Sequence, residues 1–193
     1  MKHLIIFAHP YAKSFGRGIA DTIVNELKNK EAEVRFRDLY EIGFDPILKG
    51  TDILNLRSGN HAEDIKAEQE HIKWADVITF VYPVWWAGLP AILKGYVDRV
   101  FANGFAFHNV DGRTAGLLQG KKALLISTTG ASDDVYEQIG MHKSMKQTTD
   151  GAIFEFCGME VIKHVFFGGV PTSTPEDRTN YLGQVEELIR DNF

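Results

Sequence analysis

The stretch VITFVYPVWWAGLPAILKGYVDRV, residues 77 to 100, decides how the chain is organised. Val77 to Tyr82 is an apolar run of strand length, rich in β-branched and aromatic side chains, and Pro83 ends it sharply. Beyond the turn, Pro90 stands where a first helical residue would. Ile92, Leu93, Tyr96, Val97, Val100 and Phe101 then fall on one helix face. A buried strand, an aromatic turn and a helix follow one another in that order. Trp85 and Trp86 lie between them and need cover, either from the core or from a flat ligand.

Working outward, Lys2 to Ala8 is a short apolar run of the central-strand kind, and His9-Pro10 breaks it. Ser14 is placed to cap a helix whose apolar face is Ile19, Ala20, Ile23, Val24 and Leu27. Glu33 to Asp38 alternates polar and apolar, the pattern of a half-exposed strand, and completes a βαβ unit with a right-handed crossover. Residues 39 to 60, with Gly43, Pro46, Gly50 and Gly59, show no clean period and read as a long functional loop. Ala62 to Ala75 is a helix with a sparse apolar stripe, and Asn103 to Gln119 reads as a second long loop. Lys122 to Thr128 is a further strand, residues 134 to 156 are helical, and Met159 to Phe167 alternates like an edge strand. Thr174-Pro-Glu-Asp177 opens a last helix with Leu182, Val185, Leu188 and Ile189 inward.

Strands alternating with helices predict an α/β fold: a three-layer αβα sandwich around a five-stranded parallel sheet of flavodoxin-like order 2-1-3-4-5. The 193 residues suit a single domain spanning 1–193. With 44% hydrophobic and 24% charged residues the composition is ordinary globular, and no apolar run approaches the ~18 needed to cross a bilayer. Met1-Lys2-His3 leads straight into a strand pattern without a signal-peptide layout, so a cytoplasmic protein is expected. A net charge of −5 without a basic run argues against nucleic acid and anionic membrane. Cys157 is the single cysteine and reads as a buried hydrophobe, and no Cys/His cluster suggests a metal.

In a sheet of this order, ligands sit outside the carboxyl ends of strands 1, 3 and 4, here the loops beginning at His9, Tyr82 and Thr128. The first precedes a helix N-terminus, where free N–H groups attract an anion; Ser14 adds a hydroxyl, and Lys13 and His9 add charge. A plain Ser cap with a solvated lysine explains the same residues equally well. Neither GxxxxGK[ST] nor GxGxxG occurs in this turn, which excludes a P-loop nucleotide hydrolase. The second loop offers Trp85 and Trp86 with backbone groups fixed by Pro83 and Pro90, a wall for a flat heteroaromatic ring or a pair of core tryptophans. The third, Thr128-Thr-Gly-Ala131, ends a strand with hydroxyls and a glycine that admits a ligand to the backbone. Tyr136 and His142 follow six residues apart, a phenol and an imidazole able to supply a proton or steady developing negative charge. Together an anion site, an aromatic wall and a polar edge reader describe a half-site for flavin mononucleotide.

Four segments carry a family resemblance: AHPYAKSF (8–15), DLYEIGFDPI (38–47), AEQEHIKWADVITFVYPVWWAGLPAILKGYVDRVF (67–101) and STTGASDDVYEQIGMHKSM (127–145). The chain resembles the NAD(P)H:quinone oxidoreductases of the flavodoxin-like superfamily from about His3 to Ile189. The likeness is to the small bacterial members, the general stress protein 14 group and the ancillary flavoprotein of potassium-efflux systems. The resemblance implies that His9, Ser14, Phe15 and Gly16 surround the flavin phosphate end. It sets Pro83, Val84, Trp85 and Trp86 along the isoalloxazine, and Thr128, Thr129, Gly130 and Ala131 at its polar edge. Tyr136 and His142 match the pair that stabilises charge when flavin accepts hydride. The family is dimeric with its site at the interface, which sets Phe107 toward the partner's flavin.

Ala131 stands where the family favours glycine, Gly16 where it has asparagine, and Lys13 where threonine is frequent. The long C-terminal extension of the animal enzymes is absent, and FMN and FAD both stay open. The expectation is a homodimeric flavoprotein that takes hydride from NADH or NADPH and passes two electrons to a quinone, nitro or azo compound by ping-pong kinetics. The alternatives are a regulatory flavoprotein docking on a potassium-efflux transporter and a one-electron carrier.

Overall fold

The computed structural model describes every residue except Gly59 and Asp111. Its centre is the strand foreseen before the tryptophans: β3 (Val77–Pro83) is buried at every position, because helices cover both faces of the sheet. β1 (Lys2–Phe7) pairs in parallel with it on one side and β6 (Lys122–Thr128) on the other. β2 (Glu33–Asp38) and β7 (Glu160–Phe167) form the edges, giving the order β2-β1-β3-β6-β7. Two short strands, β4 (Phe107–Val110) and β5 (Arg113–Gly116), stand outside the sheet. Without them the order reads 2-1-3-4-5, as expected.

One core layer joins α1 (Phe15–Asn29), through Ile19, Ile23 and Leu27, to Val185 and Ile189 of α7 (Pro175–Asn192). The opposite layer gathers α3 (Glu63–Trp74) and α4 (Ala91–Val100) over Leu4, Ile78, Phe80 and Leu125. Each fully buried aliphatic side chain contributes about 1.5–3 kcal/mol, so the two layers carry most of the favourable free energy. The Thr174 cap closes a reciprocal capping box with Asp177.

Three expectations need correction. Residues 39 to 60 are not wholly loop: α2 (Gly50–Ser58) forms there, with Gly59 outside the described residues. Among its described side chains the apolar ones, Ile53 and Leu54, are exposed. It is tied instead by Arg99, whose guanidinium reaches Asp52 at 2.9 Å, Asp64 at 2.8 Å and the Asp45 carbonyl at 2.7 Å. The stretch 103 to 119 carries the antiparallel β4–β5 hairpin, which docks on the chain around Cys157: a Cβ on Gly116 would collide with the Cys157 and Gly158 backbone. The helical span 134 to 156 is broken into α5 (Asp133–Gln138), α6 (Met141–Lys146) and a π-helical segment, Gln147–Glu155. Left-handed Gly140, at φ 70°, separates the first two.

β7 also departs from strict alternation. Val161 pairs with Ala123 but Lys163 pairs with Leu124, so Ile162 is an extra residue in a bulge. The shift places Val161, His164 and Phe166 on one face, toward the π-helical segment, where alternation alone would set Val161 opposite the other two.

Candidate active site

The parallel register lines up the carboxyl ends of β1, β3 and β6, and backbone bonds extend the alignment into their loops. Ala8 N–H donates to Val81 at 3.0 Å, Val84 N–H to Thr128 at 2.8 Å and Thr129 N–H to Phe167 at 2.9 Å. The three candidate loops therefore start from fixed points.

In the first loop Ser14 caps α1, its hydroxyl accepting from Arg17 N–H at 3.2 Å. Phe15 and Gly16 lie in the first helical turn, whose N–H groups have no carbonyl within the helix to bond. Arg17 is drawn away from this end by Asp21 at 2.8 Å, whereas Lys13 is exposed and forms no ion pair among the described residues. His9 differs from expectation. Its Nδ1 accepts the Tyr11 N–H at 3.0 Å and burial lowers its pKa, so near neutral pH it offers an Nε2–H donor in place of a positive charge.

The second loop is a two-residue reversal. Trp85 N–H and Gly88 N–H each donate to the other residue's carbonyl, at 3.2 and 3.1 Å. Trp86 and Ala87 between them have φ of 52° and 56°, both left-handed, as a type I′ turn requires. Such turns favour Asn and Gly; a tryptophan and an alanine here store on the order of 1–2 kcal/mol each. Trp86 is fully exposed and Trp85 nearly half exposed, so neither is core. Trp85 leans edge-on toward His9 with centroids 6.0 Å apart, joining the first two loops. Pro83 and Val84 are buried beneath them.

In the third loop the Thr129 hydroxyl turns inward and donates to Ala131 at 2.7 Å, and Thr128 is buried as well. What faces outward is backbone around Gly130, where a Cβ would meet nothing within 4 Å. Tyr136 on α5 and His142 on α6 meet edge to face at 5.7 Å, across the break that Gly140 makes. His142 Nδ1 lies 3.4 Å from Glu137 and Nε2 3.4 Å from Asp133, and its ring stacks on Phe166 at 4.4 Å. The Asp133 contact is not aligned as a hydrogen bond, leaving His142 Nε2 and Asp133 Oδ1 buried without one. Asp133, Glu137 and Phe166 carry no sequence signal of their role; only the fold brings them to His142.

Phe107 opens β4 and packs against Phe156 at 5.3 Å, on the hairpin. No helix among the described residues is long and apolar enough to cross a membrane.

The model of the flavodoxin-like fold family matches residues 1–189. A protein of Haemophilus influenzae described as an uncharacterized NAD(P)H oxidoreductase is 44% identical over 171 residues, covering 88% of this chain and 85% of that one. NAD(P)H dehydrogenase (quinone) 1 of Cavia porcellus is 34% identical over 199 residues, covering 93% and 72%. An NAD(P)H:quinone oxidoreductase from Methanothermobacter marburgensis has a similar structure, with a TM-score of 0.90 at 28% identity over 98% of each chain.

Proposed function

The chain belongs to the flavodoxin-like family of NAD(P)H oxidoreductases and quinone dehydrogenases, and from that membership we propose that it is a single-domain, flavin-dependent NAD(P)H:quinone oxidoreductase. The observation that carries this reading is the strained, fully exposed Trp86 turn beside the capped end of α1, with the Tyr136–His142 pair beyond the next strand. Strain persists where the surroundings over-determine it, and an uncovered tryptophan wants a flat partner.

The residues suit a non-covalent flavin. First-turn N–H groups of Phe15 and Gly16, the Ser14 hydroxyl and the His9 Nε2–H would hold its phosphate end. Lys13, exposed and without an ion pair among the described residues, suits the dianion of a terminal phosphate, which favours FMN over FAD. Trp85 and Trp86 would wall the ring, and the backbone at Gly130 and Ala131 would meet its edge. Bound flavin supplies acceptance of hydride from NADH or NADPH and its return to a quinone, nitro or azo acceptor. The protein binds donor and acceptor in turn over the same tryptophan wall. Tyr136 donates a hydrogen bond where negative charge develops, and His142 holds a proton beside it.

A second copy would complete the site: Trp86 is open to solvent, and Phe107 and Phe156 form an apolar rim on the hairpin side. The protein would then be a cytoplasmic homodimer. The transporter-docking alternative finds no support in the relatives named above.

The test is to mix pure protein with FMN, NAD(P)H and a simple quinone. Yellow protein with flavin-dependent NAD(P)H oxidation is expected; colourless, inactive protein would overturn the assignment. The mass of the flavin released on denaturation decides the cofactor, and FAD would refute the role given to Lys13.

A further inference from the structure

Behind His142 stands a column of stacked rings that the proposed chemistry leaves unexplained. The β7 bulge turns His164 and Phe166 toward the π-helical segment, two positions apart on one face of the strand. His164 is pinned at both ring nitrogens: its Nδ1 is 2.6 Å from Asp150 of the π-helical segment, and its Nε2 is 3.2 Å from the Tyr82 hydroxyl of β3. Two other elements therefore fix the plane of this imidazole.

Phe166 lies on that plane. Its ring stacks on His164 with centroids 4.1 Å apart and an interplanar angle of 24°, and on His142 at 4.4 Å and 19°. Two near-parallel rings so close to one phenyl would collide on the same face, so Phe166 is sandwiched between the imidazoles. The column runs from the sheet toward the candidate site as His164, Phe166 and His142. Tyr136 then meets His142 edge to face at 5.7 Å.

The other contacts of His142 hold its plane loosely. Glu137, 3.4 Å from Nδ1, has a side chain 80% exposed, and the Asp133 contact at 3.4 Å is not aligned as a hydrogen bond. His142 also borders a cavity of about 460 Å³, together with Lys143 and Gln147. The second torsion of a histidine side chain is broad, so a ring with open space beside it turns unless a flat neighbour stops it. Phe166 is that neighbour.

We propose that Phe166, clamped against His164, is a positioning residue for the reduction: it fixes the plane of the His142 imidazole beside Tyr136. The inference rests on the reading of Tyr136 and His142 as the pair that meets the flavin. A hydrogen bond to a reacting ring is directional, so a His142 that swings costs turnover more than it costs binding.

The test pairs Phe166→Leu, which keeps apolar bulk but removes the flat ring, with Phe166→Tyr, which keeps the ring. In NMR spectra of the flavin-free full chain, the His142 ring protons should sit upfield, shielded by the Phe166 face, and show a nuclear Overhauser contact to Tyr136. Phe166→Leu should move them downfield and weaken that contact; Phe166→Tyr should keep both. In the flavin-loaded enzyme, Phe166→Leu should lower kcat about tenfold with KM for NAD(P)H unchanged, and Phe166→Tyr should restore it. Equal losses in the two variants, a His142 ring that stays in place in Phe166→Leu, or one that moves while kcat holds, each overturn the proposal. If Phe166→Leu does not fold, Phe166→Met read the same way decides it. The spectra need no flavin, so a chain that binds none would refute the functional reading while the spectra still judge the stack.

Discussion

The segment leading from β2 into α2 and the turn between β3 and α4 both leave the carboxyl edge of the sheet and show apolar side chains to solvent, yet they are held in opposite ways. The first is fastened from outside. Arg99, its side chain 1% exposed, binds Asp52, Asp64 and the Asp45 carbonyl, and α4 makes room for Pro46 at Gly95. The second is held from within, by two backbone bonds and two left-handed residues, and nothing covers Trp86. External fastening couples a segment to global stability. Internal stiffness fixes a shape with little dependence on the rest of the chain, which suits a surface awaiting a ligand.

The sharpest way to break this contrast is Arg99→Leu. It leaves the largely buried Asp52 carboxylate and the Asp45 carbonyl without their partner, and urea unfolding should show a loss of about 3–5 kcal/mol. Burial alone would raise the Asp52 pKa, but the hydrogen bond from Arg99 and its neighbours bring it below the ordinary value. In the parent this contribution is present above the unfolded carboxyl pKa and disappears as pH falls through the folded one. Next comes Gly95→Ala, whose new methyl meets the Pro46 backbone; a loss of about 2–3 kcal/mol is expected from the same measurement.

An acid titration supplies a baseline remote from both regions. His3 is buried against the Phe193 ring at 4.8 Å, and burial, helped by the N-terminal amine and opposed by Asp76, lowers its pKa to about 4. The imidazole is neutral in the folded state, so the unfolded chain binds more protons between about pH 6.5 and 4. Stability should be complete above that window and fall by roughly 2 kcal/mol across it, allowing for solvent screening at the chain terminus. His3→Gln should flatten this slope. The smallest stability effect belongs to Trp86→Gly, which relieves a left-handed tryptophan: a change within about 1 kcal/mol in urea, with flavin affinity reduced tenfold or more. A large loss of stability with flavin binding intact would reverse the contrast.

The same division explains what was legible in the sequence. β3, the apolar face of α1 and the Thr174 cap were readable because each is a local pattern that meets one need, burial or a first-turn acceptor. α2 was not, since Arg99, which binds its Asp52, lies about fifty positions away in the chain. The β4–β5 hairpin has only four residues per strand and docks through glycine, which leaves no periodic trace. In the candidate site, Trp85, Trp86, Tyr136 and His142 announced themselves by type and by their place at strand ends. Asp133, Glu137 and Phe166 did not. A bulge at Ile162 reassigns the faces of β7, and a π-helical turn sets where Asp150 points; neither has a period that the sequence displays.

The lone thiol turns the docking of the hairpin into something that can be timed. Cys157 is buried where Gly116 touches its backbone and Leu118 N–H bonds its carbonyl, and burial pushes its pKa up to about 11. It can be alkylated only when that corner opens. Its labelling rate, compared with that of the unfolded chain, therefore reports the free energy of a local excursion. Compared with the global unfolding free energy, that value tells whether the hairpin is a foldon of its own or melts with the sheet.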